Sequence, residues 1–197
     1  DVIGEKAIEK YLNGSRKDFY SPWLLKDMEK AVAILQEKIE NRNRIRIIGD
    51  YDIDGVMSTY ILLESLRGLG CDVDMMIPNR ITDGYGINEH LIEQAWQEGR
   101  DTIITCDNGI SAVTQIRKAK DLGMTVIVTD HHEVPFEDVE GGRKEILPPA
   151  DAVVNPKQKA CSYPFAGLCG AVVAMKVMEA LYEKMAPEVD LVDKMLP

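Results

Sequence analysis

Apolar and polar positions change period several times along the chain. Over 23–41, Leu24, Met28, Ala31, Val32, Leu35 and Ile39 recur at helical spacing, and 5–13 predicts a shorter helix before them. At Arg44-Ile45-Arg46-Ile47-Ile48 the helical period gives way to a short β-branched run, which predicts a strand. Helix and strand then alternate. Helices are predicted over 56–69, 89–97, 110–122 and 167–185, with another starting near 188. Strands are predicted over 72–77, 102–106, 125–129 and 152–155. Residues 78–88 and 133–149 read as irregular, the latter as a polar loop carrying Gly141-Gly142 and Pro148-Pro149.

This alternation predicts an α/β fold with a mainly parallel, doubly wound sheet, helices on both faces and an N-terminal helical segment. Runs such as Thr-Val-Ile-Val-Thr suit strands covered on both faces. The organisation expected is one domain, with a helical part over 1–43 and an α/β part over 44–197. In such sheets ligands bind beyond the carboxyl ends of the strands, so the residues there carry the functional question.

Composition narrows the answer. Apolar residues make up 45 % of 197 residues and charged residues 28 %, which excludes disordered and fibrous classes. The chain has 23 Lys and Arg against 33 Asp and Glu, a net charge of −10. Such a chain cannot coat a nucleic acid with a general basic surface; if it acts on a phosphate polymer it does so at a local site, through metal ions. The four cysteines form no CxxC pair and read as free thiols of a reducing compartment. No apolar run spans a bilayer, so a cytoplasmic protein with no membrane partner is expected. The first residue is Asp rather than Met, which reads as a piece of a longer protein.

Three polar clusters follow three predicted strands. The first is Gly49-Asp50-Tyr51-Asp52-Ile53-Asp54-Gly55, with carboxylates at alternating positions that face one side if the segment stays extended. A solvated acidic turn with Asp54 as a helix N-cap would account for one Asp of the three. The second is Asp107-Asn108-Gly109, by itself an ordinary turn. The third is Asp130-His131-His132, which holds two of the chain's three histidines. Parallel strands would bring all three to one edge of the sheet. Carboxylates with an imidazole and no thiolate suit Mn²⁺ or Mg²⁺, and the histidine favours Mn²⁺. Enough carboxylates are present for two ions about 3.5–4 Å apart, which activate water and steady a phosphoryl group. Phosphoester hydrolysis is the reaction class expected.

At these residues the sequence resembles the DHH phosphoesterase family, named for its Asp-His-His motif, and within it the RecJ branch of single-strand-specific 5′→3′ DNA exonucleases. Asp130-His131-His132 matches the naming motif, Asp52-Ile53-Asp54-Gly55 the first motif and Asp107-Asn108-Gly109 the second. Ile77-Pro78-Asn79-Arg80, Gly84-Tyr85-Gly86, Asn155-Pro156-Lys157-Gln158, Tyr163-Pro164-Phe165 and Leu168-Cys169-Gly170-Ala171 are similar to further RecJ stretches. The resemblance implies that Asp52, Asp54, Asp107 and His131 are metal ligands, with Asp107 as the bridge. Asp50 would be a ligand or the partner of one. It implies that His132 contacts the scissile phosphate or its leaving oxygen and that Asp130 orients a histidine. A histidine that family members often carry is replaced here by Ile48. Arg80 and Tyr85 are expected on the substrate side, pairing with phosphate and stacking on a base, and Asn108 is counted with them as a substrate contact. The family's fourth motif, a further Asp ligand, and its substrate-gripping second domain have no match in these residues.

The function expected is metal-dependent hydrolysis of single-stranded DNA, in DNA repair and recombination. Two other classes compete with it. One is a phosphodiesterase for short oligonucleotides or cyclic dinucleotides. The other is a non-catalytic scaffold, which would not need every motif carboxylate.

Overall fold

The computed structural model describes residues 3–81, 84 and 86–195. Five parallel strands form the central sheet: β1 (Arg44–Ile48), β2 (Asp72–Met76), β3 (Thr102–Cys106), β4 (Thr125–Thr129) and, after a hairpin, β7 (Ala152–Val154). Their order is β2-β1-β3-β4-β7. The order reverses beside β1, so the crevice beyond β1 and β3 is the switch point where doubly wound sheets bind ligands.

Alternation along each strand divides the core. Ile45 and Ile47 of β1, Ile104 and Cys106 of β3, Ile127 of β4 and Val154 of β7 face one layer. That layer is made by α2 (Met28–Glu40), α3 (Ile53–Gly68) and α6 (Gly170–Met185). Ile48, Ile103, Val126, Val128 and Val153 face the other, where α4 (Glu89–Gln97) and α5 (Val113–Asp121) supply Leu91, Ile92, Ala95, Ile116 and Ala119. Burying each large aliphatic side chain is worth about 1.5–3 kcal/mol. Outside these layers α1 (Glu5–Asn13) buries no residue, while α7 (Leu191–Met195) packs against α6 and adds Leu191 to the first layer's core.

The structure corrects three expectations. The helix expected over 23–41 is a single 3₁₀ turn at Pro22–Leu24 followed by α2 from Met28. The break is at Asp27, which takes a left-handed backbone (φ 60°) and accepts a hydrogen bond from Val153 N–H of β7 at 3.2 Å. The polar loop expected over 133–149 contains a hairpin, β5 (Phe136–Val139) with β6 (Gly142–Glu145), antiparallel and exposed on almost every residue. An exposed hairpin has no buried face and hence no apolar alternation to reveal it. Finally, α3 starts at Ile53, three residues before its expected start, and this changes the site. Among the described residues no helix is long and apolar enough to cross a membrane.

Candidate metal centre

Asp50 leaves the end of β1 buried, at 2 % exposure. The chain does not continue extended through the three aspartates as expected. It turns into α3, with Asp52 rather than Asp54 as the N-cap, accepting from Gly55 N–H at 2.9 Å. Gly55 lies against the Asp50 backbone, where a Cβ would come within 2.6 Å of the carbonyl oxygen. That close approach folds the first cluster back on itself.

Asp54, in the first turn of α3, reaches across to α6. Its two carboxylate oxygens accept the Gly170 and Ala171 N–H groups at 2.6 and 2.8 Å. The N-terminus of α6 has no side-chain cap of its own, and Asp54 serves instead. Asp107 follows β3 in a left-handed conformation (φ 60°), is 1 % exposed, and packs against Gly170, where a Cβ would lie 2.7 Å from its Oδ1.

The third cluster folds around Asp130. Its Oδ1 accepts from His131 N–H (2.7 Å) and His132 N–H (3.1 Å) and lies 2.8 Å from His132 Nδ1, while Oδ2 accepts from Ile110 N–H at 2.9 Å. These bonds aim the two imidazoles. His131 Nε2 lies 3.0 Å from Asp107 Oδ1 and 3.4 Å from Asp54 Oδ2. One ligand atom each from Asp50, Asp52 and Asp107 falls within 4.8 Å of the others, as does one each from Asp107, His131 and His132. Asp107 belongs to both groups.

Electrostatics marks the same place. Burial, followed by the charges of Asp54 and Asp52, pushes the Asp107 carboxyl up to about 8. Burial also raises Asp50, with the Asp52 charge adding to it and a hydrogen bond from Tyr51 N–H opposing it. Asp50 Oδ1 is buried and meets no hydrogen-bond donor among the described residues. Burial opposes the charge on Asp130, yet the His132 side chain and the Ile110 and His132 N–H groups hold its carboxyl below the usual range. The hydrogen bond to Asp130 raises His132.

The remaining sequence-predicted residues are placed unevenly. Arg80 is exposed, with its guanidinium carbon 5.4 Å from the centre of the Tyr51 ring, beside Asp50 and Asp52. Tyr85 lies outside the described residues. Asn108, expected to touch substrate, is buried, and its amide faces the backbone. It donates to the Ile48 and Cys106 carbonyls at 3.1 and 2.9 Å and accepts from Ile87 N–H at 3.2 Å. Its hydrogen bonds are those of a strut joining β1 to β3. Sequence reasoning assigned no role to Gly170 and Ala171, although they close the Leu168–Ala171 stretch that is similar to RecJ.

The model of the DHH family N-terminal domain matches residues 44–196, which include all three clusters. The chain belongs to the DHH family. It is 41 % identical over 178 residues to the single-stranded-DNA-specific exonuclease RecJ of Bacillus subtilis, a match covering 90 % of this chain and 22 % of that protein. A crystal structure of exonuclease RecJ bound to manganese superposes with a TM-score of 0.70 at 35 % identity, covering 82 % of this chain and 39 % of that one. RecJ from Thermus thermophilus in complex with Mn²⁺ superposes with a TM-score of 0.68 at 31 % identity, covering 96 % of this chain and 27 % of that one. The chain thus spans about a quarter of the length of the curated relatives it matches. The doubly wound α/β fold read from strand and helix periods is therefore the fold these relatives share.

Proposed function

We propose that this chain forms the catalytic DHH part of a metal-dependent exonuclease that hydrolyses single-stranded DNA from its 5′ end. The observation that carries the reading is the convergence of Asp50, Asp52, Asp54, Asp107 and His131 at the carboxyl edge of β1, β3 and β4.

The donor set fits a pair of divalent cations. Asp50 Oδ1 is buried without a donor among the described residues, and burial, followed by the charges of Asp54 and Asp52, raises the Asp107 carboxyl to about 8, a repulsion that a cation would relieve. Asp52, Asp54, Asp107 and His131 are assigned as ligands, with Asp107 between the two groups and Asp50 as a further ligand or its partner. Carboxylate oxygens with one imidazole suit Mn²⁺ or Mg²⁺. When bound, such ions supply an activated water and a charge clamp on the phosphoryl group.

The chain's own residues supply the rest. Asp130 holds His132 by Nδ1, and the Nε2 atom is assigned to the scissile phosphate or its leaving oxygen. Asp130 is a positioning residue for both histidines, as outer carboxylates are for metal-bound imidazoles. Arg80, exposed above Tyr51, is assigned to a backbone phosphate, and Tyr85 to stacking on a base. Likeness to the RecJ exonucleases supports single-stranded DNA as substrate and a cytoplasmic role in DNA repair and recombination.

The test is digestion of end-labelled single-stranded DNA by the intact protein with Mn²⁺, beside RNA and dinucleotide substrates. Asp107→Ala is expected to abolish cleavage with its circular dichroism unchanged. Preference for dinucleotides would replace the exonuclease with a small-substrate phosphodiesterase, and near wild-type cleavage by Asp107→Ala would remove Asp107 from the site.

A further inference from the structure

The Asp-His-His turn is gripped from two sides. Asp130 is one grip. The other is Asn155, the first residue after β7, which is fully buried. Its Nδ2 donates to the backbone carbonyl of His132 at 2.9 Å, and its Oδ1 accepts from Lys157 N–H at 2.8 Å.

The placement follows from the sheet. β4 and β7 pair in parallel with Thr129 opposite Val154, and Asp130 N–H continues the ladder to the Val154 carbonyl at 3.1 Å. Asn155 therefore emerges level with Asp130 and beside the turn carrying both histidines. Its own backbone is anchored, because Gln158 Nε2 donates to the Val153 and Asn155 carbonyls at 2.8 and 3.3 Å and its Oε1 accepts from Lys26. Few side chains meet the demands of this position. The amide must donate at one atom and accept at the other in a space closed to water. Aspartate has the shape and the acceptor but no donor, and it would set a carboxylate against a carbonyl oxygen. Glutamine adds a methylene to a filled site.

We infer that Asn155 is a positioning residue for His132, holding its peptide from the β7 side while Asp130 holds its ring. The part of this concerning catalysis rests on the phosphodiesterase reading above; the hold on His132 does not. Asn155 touches neither Asp107 nor His131 by any hydrogen bond among the described residues, so its effect is on turnover rather than on metal or strand binding.

The experiment uses Asn155→Asp in the intact protein with ¹³C-labelled histidine. The ring signals of His132 are expected to shift while those of His90, on α4 outside the site, stay. With Mn²⁺ and single-stranded DNA, kcat is expected to fall about tenfold or more with KM within about twofold. In a His132→Ala background the same change is expected to add less than about twofold, because the two residues act as one unit. His132 signals at their original positions would overturn the proposal whether or not the protein cuts DNA. Shifted signals in a protein that cuts nothing even as wild type would keep the hold on His132 and defeat the phosphodiesterase reading instead. If the buried carboxylate prevents folding, Asn155→Ser, smaller and uncharged, is measured in the same way. Loss of the fold in both variants would make Asn155 a fold residue and overturn the inference as well.

Discussion

Asp54 caps the helix that begins at Gly170. Its carboxylate takes the N–H groups of Gly170 and Ala171 while one of its oxygens stands 3.4 Å from His131 Nε2. One side chain thus closes the α3–α6 contact and faces the candidate metal centre. Asp54→Ala removes the cap and is expected to destabilise the metal-free protein by about 1 kcal/mol, although it also relieves repulsion with Asp107. Urea denaturation in EDTA measures this; a more stable variant would show that the repulsion outweighs the cap.

Gly170 gives the sign of a helix substitution a local test. Alanine near the start of a helix is ordinarily neutral or favourable by up to about 1 kcal/mol over glycine. Here its Cβ would lie 2.7 Å from Asp107 Oδ1 and 2.9 Å from Asp107 Cβ and Cγ. Gly170→Ala is therefore expected to lower the melting temperature and weaken Mn²⁺ binding, both read in one thermal-shift titration.

Asp107 predicts a pH dependence for the metal-free protein. Its carboxyl is raised by burial, then by Asp54 and Asp52, to about 8, against about 4 in the unfolded chain. A raised carboxyl stabilises the fold at low pH, fully below about pH 4, and loses that contribution as pH climbs through about 8. Asp107→Asn should gain stability over wild type progressively between those limits. Denaturation of both proteins at a series of pH values in EDTA checks it; parallel curves would show that Asp107 ionises normally.

Divalent cations are expected to reverse the repulsion. Mn²⁺ at a hundred times its dissociation constant would stabilise the fold by about 2.7 kcal/mol, and EDTA should remove the gain. Asp107→Asn should abolish most of it. Calorimetric titration of wild type against the variant supplies the affinities.

Arg80 is exposed and rests over Tyr51 through a cation–π contact, worth about 0.5–1 kcal/mol at an exposed site. Arg80→Ala should leave the melting temperature nearly unchanged and raise KM for single-stranded DNA several-fold. An unchanged KM would take Arg80 out of the strand-binding surface.

The sequence by itself determined the order of the five central-sheet strands and of the helices, and the carboxylates and histidines at the ends of β1, β3 and β4. Both are local properties: β-branched runs flanked by amphipathic helices specify the elements, and a polar turn after each strand carries the chemistry. The tertiary structure decided how those residues are aimed. Asp52 rather than Asp54 caps α3, because the chain folds back against Asp50 at Gly55. Asp54 is thereby released to cap a helix 116 residues away. Asn108 turns inward to tie β1 to β3, and Asn155 grips the histidine turn from the neighbouring strand. Apart from the Asp52 cap, each rests on a hydrogen bond between segments distant in the chain. Such bonds arise from which strands lie side by side, and they leave no period or spacing in the residues that make them.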